Sequence, residues 1–468
     1  MASTTITERV RGALTNPATG EPLPERPRLD DAALDALIER AVAAQRTWAA
    51  VPVADRADVF LRMASLMRRD ARVIAETVTT EIGKPITQSL AEVEKAASAL
   101  DWYAERAERL LAPDATEVPE AVIEHRPLGV VLAVEPWNFP VWQVLRGGAG
   151  ILLAGNAQAL KPAHTTVGSA EHLERLWSEA GLPAGAFSVL NIASEQTHRL
   201  IADDRVAAVT LTGGGAAGAA VAESAGRHLK RVTLELGGND ALIVMPDADL
   251  AAAAQAAVDS RYANTGQVCI ATKRIILHQQ IAEEFLAEFL PRVRSLVVGD
   301  PMEPATQIGP LARADIRDDV VDQIERSLEG GATLLLGGTQ SDHGRNYVEP
   351  TVLGDVRPGV VAFDEEIFGP VVAVVVAESA EEAVALANRS PWGLSASLWT
   401  ADSAAARAIA AQLEVGSVFV NKGTVSDVRV PIGGVKASGF GRELAEHGVK
   451  EFTNPQTVWV VETEGGRR

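Results

Sequence analysis

The sequence predicts an α/β protein built on a Rossmann-like parallel sheet, followed by a second α/β unit. Between residues 128 and 236, short apolar runs typical of buried strands alternate with amphipathic helical segments. Such alternation indicates strands joined by crossover helices, and therefore a doubly wound sheet. Strand and helix patterns between residues 240 and 430 require a sheet of their own to bury them, so we place a domain boundary near Leu236.

Long helices are predicted before the first sheet. Apolar residues recur at helical spacing over residues 29–48, 54–81 and 87–111, and Gly83 and Pro85 interrupt the pattern between the last two segments. In the first sheet, the strand candidates are residues 128–134, 157–160, 187–190, 207–211 and 232–236. Helix candidates lie between these strands, at residues 169–180, 195–202 and 216–225.

The second unit has the same mixture of periods. Its strand candidates are residues 241–244, 274–277, 371–376 and 418–420, and its helix candidates are residues 250–263 and 281–296. Outside both units, the spacing of apolar residues changes from helical at residues 118–126 and predicts a β-ribbon arm there. Residues 457–461 form a short apolar strand candidate near the end of the chain.

Composition narrows the class of protein. The 468 residues are 47% hydrophobic and 22% charged, which is typical of a globular chain of two or three domains. A net charge of -19 argues against nucleic acid as a partner, because phosphate contacts need a basic face. One cysteine excludes an intramolecular disulfide framework and favours the cytoplasm. Residues 1–11 lack the apolar core of a signal peptide, and no long apolar run predicts a membrane span. We expect no metal site.

A glycine-rich turn follows the predicted strand 207–211. Gly213, Gly215 and Gly218 match the dinucleotide pattern G-x-G-x-x-G, and a helix is predicted directly after them. Free amides at that helix N-terminus would face a pyrophosphate, although a plain tight turn explains three glycines nearly as well. Lys161 follows another strand candidate, where its ammonium group would reach ribose or phosphate oxygens.

Three residues are candidates for a catalytic role. Cys269, the only cysteine, follows a polar turn at residues 264–267, which suits an accessible thiol better than a packed helix face. Glu235 lies among apolar neighbours at the end of a strand, where burial would raise its pKa as a general base requires. Asn138 lies in a loop stiffened by two prolines and two aromatic residues and would serve as an oxyanion donor, or only stabilise the turn.

Taken together and in order, these segments resemble the aldehyde dehydrogenase superfamily, with bacterial succinate-semialdehyde dehydrogenases the most similar group. The resemblance covers nearly the whole chain from Asn16. The motifs that carry it are Pro-Trp-Asn-Phe-Pro at 136–140, Lys-Pro-Ala at 161–163, the glycine turn at 212–218, Leu-Glu-Leu-Gly-Gly at 234–238, Gly-Gln-Val-Cys at 266–269, Glu-Glu-Ile-Phe-Gly-Pro at 365–370 and Gly-Gly-Val-Lys at 433–436.

The resemblance implies the roles of the site residues. Cys269 resembles the nucleophile, Asn138 the oxyanion donor, and Glu235 the base that activates water against the thioester. NAD or NADP is the implied cofactor. The residues implied to bind it are Trp137, Lys161, His164, Gly213, Gly214, Gly218, Glu366 and Phe368.

The resemblance also implies a domain plan. Residues 1–115 and 128–236 would form the cofactor domain, and residues 237–445 the catalytic domain. Residues 116–127 and 446–468 would form a small β oligomerisation arm and tail that pair in a homodimer or homotetramer.

Succinate semialdehyde is the substrate that the resemblance implies, with one departure from the pattern. Arg146 and Ser426 stand where such enzymes bind the substrate carboxylate. A second arginine, six positions before the cysteine in many relatives, is Ala263 here, so Arg261 or Arg429 would have to compensate, or the substrate differs.

Two further departures affect the cofactor. The family's Gly-Ser-Thr turn lacks its hydroxyl here, where Gly214 replaces serine. His164 replaces a glutamate that is common in NAD-preferring relatives, so the charge that repels a 2′-phosphate is missing and NADP is allowed.

Other functions compatible with these motifs are oxidation of another small aldehyde, an acyl-CoA-forming reaction that would not need Glu235, and a non-catalytic binding protein on the same fold. A cysteine hydrolase would pair Cys269 with a histidine base, but none of the eight histidines lies in a recognisable partner motif.

Overall fold

The computed structural model of the protein describes residues 14–338 and 341–461. The predicted start at residues 1–11, and the outer ends of the predicted cofactor domain and tail at residues 1–13 and 462–468, lie outside the described residues. No helix within the described ranges is long and apolar enough to cross a membrane.

The helices and strands follow one another in an order that begins with four helices and ends with a strand. The helices are α1 (Asp31–Ala49), α2 (Val53–Arg69), α3 (Ala71–Ile82), α4 (Ile86–Leu110), α5 (Trp142–Leu153), α6 (Val167–Glu179), α7 (Ser194–Ala202), α8 (Gly215–Arg227), α9 (Leu250–Tyr262), α10 (Ala282–Arg294), α11 (Ala314–Glu329), α12 (Val361–Asp364), α13 (Ala380–Asn388), α14 (Ser403–Ala410) and α15 (Ala445–Glu451). The strands are β1 (Asp114–Ala115), β2 (Ala121–Pro127), β3 (Val130–Val134), β4 (Ala157–Lys161), β5 (Phe187–Val189), β6 (Val206–Thr212), β7 (Arg231–Glu235), β8 (Ala241–Val244), β9 (Arg274–His278), β10 (Thr333–Leu336), β11 (Thr351–Gly354), β12 (Val371–Ala377), β13 (Trp392–Gly393), β14 (Ser395–Trp399), β15 (Ser417–Val420), β16 (Val435–Lys436), β17 (Gly439–Phe440) and β18 (Thr453–Trp459).

The first sheet has the strand order β17-β7-β6-β3-β4-β5. Strand β3 pairs in parallel with both β4 and β6, so β4 and β5 lie on one side of it and β6 and β7 on the other. Val130 and Leu132 pack against Leu34 of α1 on one face, whereas Ala133 packs into the core on the opposite face. The carboxyl ends of β3 and β6 therefore form a topological switch point, where α/β sheets bind ligands.

The second sheet has the order β10-β11-β12-β9-β8-β14-β15 and is parallel except for the pairing of β10 with β11. Its two faces pack into separate apolar layers. On β8, Ile243 faces one layer, whereas Leu242 and Val244 face the other. This alternation explains why its strands are continuous apolar runs in the sequence. The α/β fold class with two parallel sheets is confirmed.

The arm and the tail form a third, small sheet of order β1-β2-β18. Strand β18 pairs antiparallel with β2 from Thr453 opposite Pro127 to Trp459 opposite Ala121. The predicted tail strand at 457–461 therefore begins four residues earlier. This arm-to-tail pairing is made within one chain.

One predicted helix differs from the structure. The helix predicted over residues 54–81 is two helices, because Asp70 leaves helical geometry (φ -97°, ψ 11°) and its carboxylate accepts hydrogen bonds from Arg69 and Arg175. The three-part domain division stays a prediction, and one strand crosses its boundary. Strand β17 lies in the range assigned to the catalytic domain, yet it hydrogen-bonds to β7 in the first sheet.

Candidate active site

The site lies where the first sheet faces the second. Asn138 follows β3, Gly213 follows β6 and Glu235 ends β7, so one edge of the first sheet carries all three. With Cys269 they line a cavity of about 470 Å³. The other predicted residues that line it are Trp137, Gly214, Glu366 and Phe368. The structure thus brings together eight of the predicted site residues.

The turn before Cys269 has an unusual backbone. Asn264, Thr265 and Gly266 all have positive φ angles, at 48°, 56° and 75°. L residues avoid this left-handed region, so surrounding contacts must hold the turn. At Gly266 a side chain is excluded as well, because a Cβ atom would lie 2.2 Å from the carbonyl oxygen of Gly369. The turn therefore presents Cys269 in one fixed place.

Hydrogen bonds join this turn to the loop of Asn138. The Asn138 Nδ2 atom donates to the carbonyl oxygen of Gln267 at 3.0 Å, and Asn264 Nδ2 donates to the carbonyl oxygen of Asn138 at 2.9 Å. The Gln267 side chain in turn accepts from the amide of Ala312 at 3.0 Å. Because an amide nitrogen carries two hydrogens, Asn138 keeps one for an oxyanion.

A buried ion pair on the opposite side supports the same loop. Glu92 of α4 accepts hydrogen bonds from the backbone amides of Val141 and Trp142, at 2.9 and 2.8 Å. Its second oxygen pairs with Lys84, whose Nζ atom lies 3.6 Å from the centre of the Phe139 ring. Both charged side chains are only 1% exposed. The pair, which was not predicted from the sequence, thus fixes the backbone that follows Asn138.

Behind Glu235 lies a buried cluster of charges. Arg146 donates through Nε to Glu443 and through Nη2 to the Thr212 hydroxyl at 3.2 Å. The same Nη2 atom lies 3.8 Å from the Glu235 carboxylate. Burial raises the pKa of Glu235 to about 8, and the positive charge of Arg146 opposes the shift. Burial, with Glu443 nearby, also raises the pKa of Glu135 well above its ordinary value.

The environment of the Cys269 thiol balances burial against nearby cations. Burial raises the pKa of Cys269, whereas Arg146 and Lys273 lower it. Lys273 donates to the Val268 carbonyl oxygen at 2.8 Å and forms a salt bridge with Glu366 at 3.1 Å. Glu366, predicted as a ribose ligand, is thus paired with a lysine that the sequence analysis missed.

The glycine turn suits a dinucleotide. Gly214 is the residue before α8 and a Cβ atom there would meet nothing within 4 Å, which leaves the amides at the helix N-terminus open to an anion. At Gly218 a Cβ atom would lie 2.6 Å from Leu236, so glycine permits the close packing of α8 on the sheet. Beside the turn, Trp137 and Phe368 stack edge to face with ring centres 5.8 Å apart.

The remaining predicted cofactor residues lie away from the lining of the 470 Å³ cavity. Lys161 is buried at the carboxyl end of β4. His164 begins a short helical turn, and its Nδ1 atom lies 3.4 Å from Asn191 Oδ1. Both residues lie at the same edge of the sheet as the glycine turn, and their cofactor roles stay predictions.

Cys269 also lines a second cavity, of about 210 Å³. The predicted carboxylate ligands Arg146 and Ser426 line it, together with Ala263. The structure therefore brings the thiol and the two predicted substrate ligands to one small chamber.

The chain belongs to the aldehyde dehydrogenase family, whose pattern matches residues 6–458. This match, the fold and the geometry of the site agree with the family that the motifs predict.

Among similar proteins, the succinate semialdehyde dehydrogenase [NAD(P)+] Sad of Escherichia coli K12 is 46% identical over 457 residues, which are 97% of this chain and 99% of that protein. The succinate-semialdehyde dehydrogenase [NADP(+)] of Deinococcus radiodurans is 42% identical, over 95% of this chain and 94% of that one. The crystal structure of succinic semialdehyde dehydrogenase from Streptococcus pyogenes with NADP+ superposes with a TM-score of 0.93 at 37% identity, and the match covers 96% of this chain and 100% of that one.

We predict that the Lys84–Glu92 pair stabilises the folded protein only as a pair. Glu92→Gln leaves the buried Lys84 ammonium group without its counter-charge. The free energy of unfolding should fall by about 3–5 kcal/mol, because the cost of burying that charge is no longer offset. The double variant Lys84→Met with Glu92→Gln should recover much of the loss. Urea unfolding midpoints at one protein concentration measure the difference. Equal midpoints for the single and the double variant would contradict the role.

We predict that Gly266→Ala strongly lowers the activity of the enzyme. Alanine at this position would have to keep a φ of 75°, and its methyl group would collide with the carbonyl oxygen of Gly369, so the turn that holds Cys269 must move. Gly226→Ala is the matched control, because a Cβ atom there meets nothing within 4 Å and lies outside the site. Aldehyde-dependent cofactor reduction should fall at least about tenfold in the first variant and stay unchanged in the second. Full activity of Gly266→Ala would refute the constraint.

Proposed function

We propose that the enzyme oxidises succinate semialdehyde to succinate with NAD or NADP. The observation that carries the proposal is the position of Cys269, which lines both cavities. The larger cavity has the glycine turn and Glu235, which suits cofactor and water. The smaller cavity has Arg146 and Ser426, which suit the distal carboxylate of the substrate.

In the proposed reaction, Cys269 Sγ attacks the aldehyde carbon and forms a thiohemiacetal. The free hydrogen of the Asn138 amide, with the Cys269 backbone amide, stabilises the negative charge on the former carbonyl oxygen. When bound in the larger cavity, the nicotinamide supplies the oxidising chemistry by accepting a hydride. Glu235 then takes a proton from the water that attacks the thioester, which releases the acid and restores the Cys269 thiol.

The cofactor would lie across the switch point of the first sheet. Gly213 and Gly214 would receive its phosphates at the N-terminus of α8, with Lys161 and Glu366 at the riboses and Phe368 beside the nicotinamide end. His164 carries no negative charge against a 2′-phosphate, which supports acceptance of NADP as well as NAD.

We propose that the enzyme is a cytoplasmic homodimer or homotetramer. Residues at the end of the tail are apolar and exposed: Trp459 is 59%, Val460 63% and Val461 68% accessible. They adjoin β18, whose outer edge is unpaired within the described chain, and an edge strand of this kind is suited to a second subunit. The single free cysteine is consistent with a reducing compartment.

Other activities have weaker support. A cysteine hydrolase needs a histidine beside the thiol, yet the described residues that line the two cavities at Cys269 include no histidine. An acyl-CoA-forming enzyme would not need Glu235, which here lines the same cavity as Cys269. Product analysis with and without CoA separates that alternative from hydrolysis.

We predict a base-limited pH profile. Because burial raises the pKa of Glu235 to about 8, and because only the ionised carboxylate accepts a proton, kcat should rise with pH up to about 8 and fall nearly tenfold per unit below about 7. Glu235→Gln should lower kcat by at least about a hundredfold and flatten this limb. The exposed Glu223→Gln serves as the control. A wild-type profile in the Glu235→Gln variant would rule out the base assignment.

We predict that aldehydes with a distal carboxylate are preferred. Initial rates of cofactor reduction should be measured across paired carboxylated and uncharged aldehydes, with NAD and NADP in parallel. The wild type should favour succinate semialdehyde by kcat/KM, and Arg146→Ala should reduce that preference, because the arginine supplies part of the positive charge in the substrate cavity. Cofactor reduction at the wild-type rate by Cys269→Ala would overturn the whole scheme.

A further inference from the structure

A second basic side chain, Lys95, lines the 210 Å³ cavity beside Cys269. Lys95 lies on α4; its Nζ atom donates to the Ser426 hydroxyl at 2.7 Å and lies 4.3 Å from the centre of the Trp142 ring. Neither partner carries a negative charge. Burial lowers the pKa of Lys95 to about 8, so a carboxylate bound beside it would stabilise its charged form.

Arg146, the other cation of this cavity, is largely committed to the protein. Its Nε atom donates to Glu443, and its Nη2 atom donates to Thr212 and lies near Glu235. The Glu443 carboxylate offsets the charge of Arg146 before any substrate arrives. A substrate carboxylate at Arg146 alone would therefore meet a neutralised cation, and a second positive group would strengthen its binding.

Neither arginine that the sequence suggested as a substitute at this place can serve. Arg261 is completely buried and donates through Nη2 to the carbonyl oxygens of Gly266 and Ile367 at 3.1 Å. The side chain of Arg429 is 69% exposed and pairs with Asp427. Neither residue lines the cavity at Cys269.

The hydroxyl of Ser426 is oriented by its neighbours. Its oxygen accepts one hydrogen bond from Lys95 Nζ and another, at 3.0 Å, from Trp142 Nε1. A hydroxyl oxygen has two lone pairs, so these donors occupy both, and the Ser426 proton is left to donate elsewhere. Lys95 and Ser426 together therefore present only hydrogen-bond donors, which is what a carboxylate requires.

The small side chain at position 263 lies beside this pair. Lys95, Phe139, Asp259 and Ala263 line both the 210 Å³ cavity and an adjoining cavity of about 460 Å³. Alanine ends at Cβ, so the volume that a longer side chain would fill at this junction is open. Among the described residues that line the small cavity, Asp259 is the only acidic one, and its Oδ1 atom accepts a hydrogen bond from Gln255 Nε2 at 2.9 Å.

We propose that Lys95, with Ser426, binds the distal carboxylate of the aldehyde substrate and replaces the arginine that is absent at Ala263. The inference rests on the proposed function, because it assigns the specificity-determining cation of the same substrate cavity. Arg146 then contributes a weaker, shared attraction.

The test compares succinate semialdehyde with pentanal, which has a similar length and no charge, on purified full-length enzyme. In Lys95→Met and Lys95→Gln, we expect KM for succinate semialdehyde to rise roughly 10- to 100-fold with little change in kcat, as loss of one charged hydrogen bond implies. Activity on pentanal should stay the same, which also shows that the variants fold. Lys95→Arg should restore most of the affinity. Lys230→Met, which removes a distant cation that donates to the Asp203 carbonyl oxygen, should change neither substrate.

The outcomes separate the inference from the function beneath it. Equal losses on both substrates, or an unchanged KM for succinate semialdehyde, would overturn the role of Lys95. If the wild type itself oxidises pentanal but shows no preference for succinate semialdehyde, the proposed function fails first. If the preference is present in the wild type and survives in both neutral variants, only the inference fails.

Discussion

The buried ion pair between Arg146 and Glu443 determines the electrostatics of the site. Its partners are 2% and 1% exposed, and it joins helix α5 to the segment after β17. Helix α5 leaves room for the Glu443 side chain because residue 147 is glycine: a Cβ atom there would lie 2.9 Å from the Glu443 carboxylate. Burial in this interior raises the pKa of Glu235 and Glu135, Glu443 adds to both shifts, and the one guanidinium of Arg146 only partly opposes them. This constraint turns Glu235 from an ordinary acid into a base matched to neutral pH.

The pairing of Arg146 with protein carboxylates also affects substrate binding. Arg146 pairs with the buried Glu443 and also lines the substrate cavity, so Glu443 and a substrate anion would share its positive charge. Lys95 directly contacts the Ser426 hydroxyl and the Trp142 ring, neither of which is charged, and we infer that it is the cation that responds to a substrate anion. We therefore infer that Lys95 mainly recognises the substrate, whereas Arg146 mainly sets the charge around Glu235. Cys269 lines both the larger cavity, which contains Glu235, and the smaller cavity, which contains the two basic residues.

Much of the fold was predictable because its causes are local in sequence. The alternation of periods gave the parallel strands, and Asn138, Glu235 and Cys269 were found because each lies in a short motif at a strand end or turn. Contacts between distant segments were missed. Glu443 meets Arg146 across 297 positions, and no local pattern reports such a pairing. Glu92 did leave a trace, since it lies on the buried stripe of α4 with Ser89 and Ala96. A charged residue on such a stripe requires a partner.

Trapping of the acyl-enzyme tests the central claim most directly. Glu235→Gln, mixed with succinate semialdehyde and oxidised cofactor, should reduce about one equivalent of cofactor per chain and then stall, because the thioester at Cys269 lacks its base. Intact-protein mass spectrometry should show one succinyl group per chain, absent when Cys269→Ala is added. Stoichiometric cofactor reduction without any adduct on Cys269 would contradict the account.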